Sequence, residues 1–114
     1  MAGASPPYSL SRAQADGRTV LAVSGEIDIA TVDEVAAAIR DELVRGPLLL
    51  DLRELSFIDS SGLRMLIDLL RESEQNGWSL TIGSELHRNV ERLLKMAGIL
   101  DMLPFDGGPP QMPT

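Results

Sequence analysis

The chain is predicted to be an α/β domain, a mixed and mostly parallel sheet of about four to five strands with helices packed on it, in the order ββαβαβα(β). Three observations predict it. After an initial hairpin, strand-like and helix-like patterns alternate, which favours parallel strands joined by helical crossovers. Leu48-Leu49-Leu50 opens a near-continuous apolar run, the pattern of a strand covered on both faces. Trp78-Ser79-Leu80-Thr81-Ile82 alternates strictly, as a strand with one solvated face does. At 114 residues the chain is one domain, long enough to bury well over half of its unfolded surface.

Each element has its own signal. Tyr8–Ala13 alternates weakly and reads as a first strand. Asp16-Gly17 is a turn pair, and Thr19–Ser24 reads as the returning strand, closed by Gly25-Glu26-Ile27-Asp28. Thr31-Val32-Asp33-Glu34 is a capping box, in which the Thr31 hydroxyl accepts from the Glu34 N–H and the Glu34 side chain reaches back. Val32, Val35, Ala36, Ile39 and Leu43 follow at helical spacing to about Arg45, and Gly46-Pro47 ends the helix. Leu48–Arg53 is the central strand. Ser61–Gln75 is the second helix, with an apolar stripe of Leu63, Leu66, Ile67 and Leu70. Its outer face carries Arg64, Asp68, Arg71 and Glu72, and Asn76-Gly77 stops it. Ser84 is the expected cap of a third helix whose Leu86, Val90, Leu93, Leu94 and Ala97 face inward, with Gly98 just past its end. Met102–Phe105 reads as a short last strand. Residues 1–7 and 106–114 are small, Pro- and Gly-containing segments and are expected to be flexible tails around a domain spanning 8–105.

Composition narrows the function. The net charge of −7 argues against a nucleic-acid surface and suits a basic protein partner. There is no cysteine, so disulfides, Cys-ligated zinc and thiol switching are excluded. The apolar runs are too short to span a membrane, and Met-Ala-Gly-Ala-Ser-Pro-Pro has neither a basic region nor an apolar signal core, so a cytoplasmic protein without a membrane partner is expected.

Catalysis finds little support. His87 is the sole histidine, sits beside Arg88 and suits a solvated helix face; no Gly-x-Ser-x-Gly elbow is present. Neither Gly-rich phosphate loop occurs, so no nucleotide cofactor is expected. Glu26, Asp28 and Asp59 could gather at one end of the sheet and bind Mg²⁺, but a solvated acidic rim explains them as well, and no metal is expected. The informative cluster is Asp59-Ser60-Ser61-Gly62, between an apolar run and a helical pattern. Open α/β sheets place their working residues at such a mouth, and a helix N-terminus favours negative charge there. Serine capping of the helix is one reading. The other is a switch. A phosphoserine adds about −1.5 to −2 charges. At ~6 Å and an effective dielectric of ~20, each unit charge is worth up to roughly 3 kcal/mol before solvent screening. About 2 kcal/mol already changes an affinity more than tenfold.

Gly25-Glu26-Ile27-Asp28, Leu50-Asp51-Leu52, Phe57-Ile58-Asp59-Ser60-Ser61-Gly62-Leu63 and the closing Val90–Leu94 and Ala97-Gly98-Ile99 patterns together resemble the STAS domain of bacterial anti-sigma factor antagonists, from about Tyr8 to Phe105. The resemblance implies a STAS-like fold and a partner-switching, non-enzymatic function. The unphosphorylated antagonist binds an anti-sigma factor that is itself a serine protein kinase, and so frees a sigma factor. Phosphorylation by that kinase, with ATP, abolishes binding, and a phosphatase restores it. It further implies Ser60 as the phosphorylated residue, with Ser61 second, and a partner surface of Glu26, Asp28, Thr31, Asp59, Ser60, Ser61, Gly62, Leu63 and Arg64. Arg64 stands where many members have Gly, a cation that could pair with a phosphate on Ser60 or alter which partner fits. The alternative within the same fold is an interaction subunit of a membrane transporter complex for lipids or anions, which needs no phosphorylatable serine.

Overall fold

The computed structural model describes residues 7–107, so nearly all of both expected tails lies outside the described residues. Two residues expected in those tails are tied to the sheet: the Pro7 carbonyl accepts from the Glu26 N–H at 2.8 Å, and the Asp106 N–H donates to the Ile82 carbonyl at 2.8 Å.

The chain folds as β1 (Tyr8–Ala15), β2 (Arg18–Ile27), α1 (Val32–Arg45), β3 (Leu48–Asp51), β4 (Leu55–Ile58), α2 (Ser60–Asn76), β5 (Leu80–Ile82) and α3 (Arg88–Met96), followed by a 3₁₀ turn at Leu100–Met102. Sheet order is β1-β2-β3-β5, with β4 also on β2; β1 is antiparallel and the other pairings are parallel. The hairpin forms as expected, with Asp16 and Gly17 both at positive φ (54° and 78°), as a tight two-residue connection requires.

The apolar run that opens at Leu48 makes two strands, not one. The Asp51 carboxylate accepts from the Arg53 N–H at 3.1 Å, a local turn that breaks the ladder after four residues. The chain then re-enters the sheet as β4. β2 serves both strands: Thr19–Ala22 pair with β3 and Gly25–Ile27 with β4. The register shifts between Gly25 and Glu26. Gly25 has φ 93°, and a Cβ there would stand 2.3 Å from the Pro7 carbonyl oxygen, so glycine is required on both counts. Beyond the bulge, the Ile27 carbonyl accepts the Asp59 N–H at 3.3 Å, which joins the end of β2 to the residue before α2.

One core results. Leu21, Val23, Leu48, Leu50, Leu55, Ile58 and Ile82 meet Val35, Ile39 and Leu43 of α1, Met65, Leu66 and Leu69 of α2, and Val90 and Leu94 of α3. β3 is fully buried on one face only, since Leu49 and Asp51 are half-buried, so the expectation of a strand covered on both faces is not met. The inward stripe of α2 is Gly62, Met65, Leu66, Leu69 and Ser73, with Leu63, Ile67 and Leu70 on its flanks, a rotation from the expected stripe. Glu72 is not free on the outer face: both its oxygens accept from Arg40 of α1, at 2.7 and 2.9 Å. α2 ends at Gly77, φ 69°.

Three further expectations give way. α3 starts after His87, whose Nδ1 accepts from the Asn89 N–H at 3.1 Å, so Ser84 does not cap it and Ala97 is exposed. The last strand reduces to one bridge, Ile82 to Phe105, because the preceding residues coil into the 3₁₀ turn. The capping box of α1 does not form: Thr31 makes no side-chain cap, and Glu34 instead accepts the Tyr8 hydroxyl at 2.7 Å, joining β1 to α1. Among the described residues no helix is long and apolar enough to cross a membrane.

Candidate functional site

The candidate site lies where the ends of β2 and β4 meet the starts of α1 and α2. Ile27 and Ile58 are the last paired residues of those strands. Each strand then gives way to a half-buried aspartate, Asp28 after β2 and Asp59 after β4.

The loop 28–31 closes on itself. The Asp28 carbonyl accepts the N–H groups of Thr31 (3.0 Å) and Val32 (2.9 Å), and Asp28 Oδ1 accepts the Ala30 N–H at 2.9 Å. Thr31 Oγ1 accepts the Asp28 N–H at 3.1 Å and sits 3.3 Å from Asp28 Oδ1. With its hydroxyl engaged and 8 % exposed, Thr31 is buried, although the sequence places it at the partner surface. The loop leaves Ile29 in solvent at 79 % exposure.

Asp59 caps α2, a role the sequence reading offered to the serines. Its Oδ1 accepts the N–H of Ser61 (2.9 Å) and of Gly62 (3.2 Å) and also the Ser61 hydroxyl. Its Oδ2 accepts the Ile29 N–H at 3.2 Å, which fastens the 28–31 loop to the start of α2. The Ser61 hydroxyl, and then the backbone N–H groups of Gly62, Ser61 and Ile29, hold the Asp59 carboxyl below the usual carboxylate range. Gly62 lets the helix come this close: a Cβ there would stand 3.0 Å from Ile58 Cβ.

The two serines therefore differ. Ser61 is half-buried and its hydroxyl is committed to Asp59. Ser60, the first residue of α2, is exposed, and among the described residues its hydroxyl has no hydrogen-bond partner. Ser60 and Ser61 stand at the mouth of a groove of roughly 620 Å³ between α1 and α2, whose walls include Ile29, Val32, Met65 and Arg64. Leu63 and Arg64 line a smaller depression of roughly 270 Å³ along α2, again with Ser60.

Glu26 is exposed on β2 opposite Phe57 and does not line the groove. No cluster of three carboxylate or histidine residues suited to a metal ion exists among the described residues. Ile29 and Met65 line the groove as well, and neither is among the residues named individually for the partner surface. The available signal for Ile29 was an isoleucine inside an otherwise polar loop.

A profile of the STAS domain matches residues 9–108. The chain is also 30% identical over 92 residues to the anti-sigma F factor antagonist of Paenibacillus polymyxa, covering 78% of each. The chain belongs to the STAS-domain family of anti-sigma factor antagonists. Solved structures agree on the fold of this STAS domain. It is similar to an anti-sigma factor antagonist from Mycobacterium paratuberculosis at a TM-score of 0.72 and 24% identity, covering 86% of this chain and 84% of that one. It is similar to the antagonist SpoIIAA in its unphosphorylated form at a TM-score of 0.63 and 20% identity, covering 80% and 82%.

Proposed function

We propose that the unphosphorylated chain binds an anti-sigma factor through the groove mouth at Ser60 and the 28–31 loop, and that phosphorylation of Ser60 ends the binding. The anti-sigma factor is a serine kinase in this reading. The Ser60 oxygen attacks the γ-phosphorus of ATP, the bond to the bridging β–γ oxygen breaks, ADP leaves, and a base of the kinase takes the hydroxyl proton. A phosphatase hydrolyses the ester and resets the cytoplasmic cycle. The observation that carries the reading is the free, exposed Ser60 hydroxyl beside a Ser61 hydroxyl already bound to Asp59. Ile29 and the Val32, Ala36 and Met65 side chains of a mixed groove wall supply apolar contact area, and a new dianion beside them makes that area costly to dehydrate.

The test is incubation with the cognate anti-sigma factor and ATP, site mapping by mass spectrometry, and affinity measured before and after. Phosphate on Ser60 with a large loss of affinity is expected. Phosphate on Ser61 or on no residue, or unchanged affinity with Ser60 fully phosphorylated, would overturn the reading.

A further inference from the structure

Arg64 is the loosely held cation of the groove. It follows Ser60 by four residues on α2, so the two side chains rise from one face of the helix, and both line the groove and the smaller depression. Its side chain is 82 % exposed, and its Nε rests 3.9 Å from Oδ2 of Asp68, whose side chain is 43 % exposed. Arg40, across the groove on α1, is bound by both Glu72 oxygens at 2.7 and 2.9 Å. Arg64 thus stands between a serine one turn before it and a weakly engaged carboxylate one turn after it.

We infer that Arg64 is the clamp for a phosphate on Ser60, leaving Asp68 to pair with the phosphate oxygens. This rests on the reading of Ser60 as a phosphorylated residue. An anion four residues before a cation is the favourable order along a helix. A guanidinium fork fits two phosphate oxygens, and a dianion outcompetes the single charge of Asp68. Of the other charges that line or border the two depressions, Arg40 is committed to Glu72, Asp59 to its hydrogen-bond donors and Asp28 to its own loop. Asp33 lines the groove wall from α1, and Arg71 lines the second depression but stands about three helical turns beyond Ser60, against one turn for Arg64.

Two consequences follow. The second ionisation of phosphoserine lies near pH 6, close enough to neutrality for part of it to be a monoanion. A clamped phosphate carries its full charge there. Asp68, released, leaves a second, unpaired negative charge about two turns along α2 from the phosphate, so the modification is felt beyond the residue that bears it.

The experiment uses the full chain with phosphoserine placed at position 60 during synthesis, so that no kinase is needed, in wild type, Arg64→Gln and Arg64→Lys backgrounds. Phosphorus NMR follows the second ionisation with pH at low and at high salt, and circular dichroism checks the fold. Arg64→Gln should raise the midpoint by about half a unit to one unit relative to wild type. Arg64→Lys should recover part of that shift, and the difference should shrink toward ~1 M salt. Equal midpoints for folded wild type and Arg64→Gln at low salt would overturn the clamp. Kinase incubation of the unmodified chain is scored separately: failure to phosphorylate Ser60 there defeats the proposed function, whereas the clamp stands or falls on the NMR.

Discussion

The starts of α1 and α2 face each other across one groove and use the same kinds of residue to opposite ends. At α1, the Thr31 hydroxyl turns back into the Asp28 loop and is buried there, and the helix has no side-chain cap. At α2, a carboxylate does the capping. Asp59 takes two N–H groups and the Ser61 hydroxyl on one oxygen, and ties the α1 loop with the other. Capping by Asp59 releases Ser60 from structural duty. A hydroxyl at one helix start is part of the fold, and a hydroxyl at the other is available for chemistry.

The largest expected effect sets the scale for that contrast. Leu66 is 4 % exposed on the inward face of α2, about two turns beyond the cap. Leu66→Ala should lower unfolding free energy by about 2–5 kcal/mol in a denaturant titration. It should leave Ser60 phosphorylatable at temperatures where the variant is still folded. A Leu66→Ala variant of wild-type stability would mean that the α2 start is not held by the core, and the contrast with α1 would lose its structural basis.

Next is the released hydroxyl. Ser60→Glu should weaken binding of the anti-sigma factor by about tenfold or more, with the thermal midpoint near that of wild type because Ser60 is exposed. Ser60→Ala should bind normally and ignore kinase and ATP. Calorimetric titration against the anti-sigma factor measures both. Tight binding by Ser60→Glu would leave a constitutive interaction module in place of a charge switch.

Thr31 is the opposite case. Thr31→Val keeps the shape and removes the hydroxyl, leaving the Asp28 N–H without its acceptor. A loss of about 1 kcal/mol in stability is expected, with phosphorylation of Ser60 unchanged. Wild-type stability with abolished phosphorylation would break the contrast, because Thr31 would then be the functional residue and not a structural one.

These differences also mark how far the sequence could be read. The alternation of elements, the Asp16-Gly17 turn and the Gly77 stop were legible because each rests on local backbone chemistry. That Asp59-Ser60-Ser61-Gly62 opens a helix was legible for the same reason. Which residue caps α2 was not. Asp and Ser are comparable caps, and the choice is fixed by a tertiary bond from Asp59 to the Ile29 N–H, thirty positions away. β4 escaped because Leu55–Ile58 is short and follows a three-residue jog that depends on the Asp51–Arg53 turn. The start of α3 escaped because Ser84 is a good local cap, and His87, three residues later, takes the role. Ile29 escaped because exposure of an apolar residue depends on where the loop points.

The smallest effect tests the charge of the cap itself. The Asp59 carboxyl is held below its ordinary value, first by the Ser61 hydroxyl and then by backbone N–H groups, while partial burial opposes them. A carboxyl with a lowered folded-state pKa adds stability that is present above its unfolded value, about 3.9, and is lost as pH falls through the folded value. Asp59→Asn keeps an oxygen that can accept from the same donors but carries no charge. Wild type should therefore be the more stable of the two from neutral pH down to about pH 4, and the gap in thermal midpoint should close below that as Asp59 protonates. Melting curves from pH 7 to pH 2 measure the gap directly. A constant gap across that range would assign the cap to hydrogen-bond geometry alone. A gap that widened on acidification would reverse the sign of the Asp59 shift and, with it, the claim that the α2 start is held by an anion.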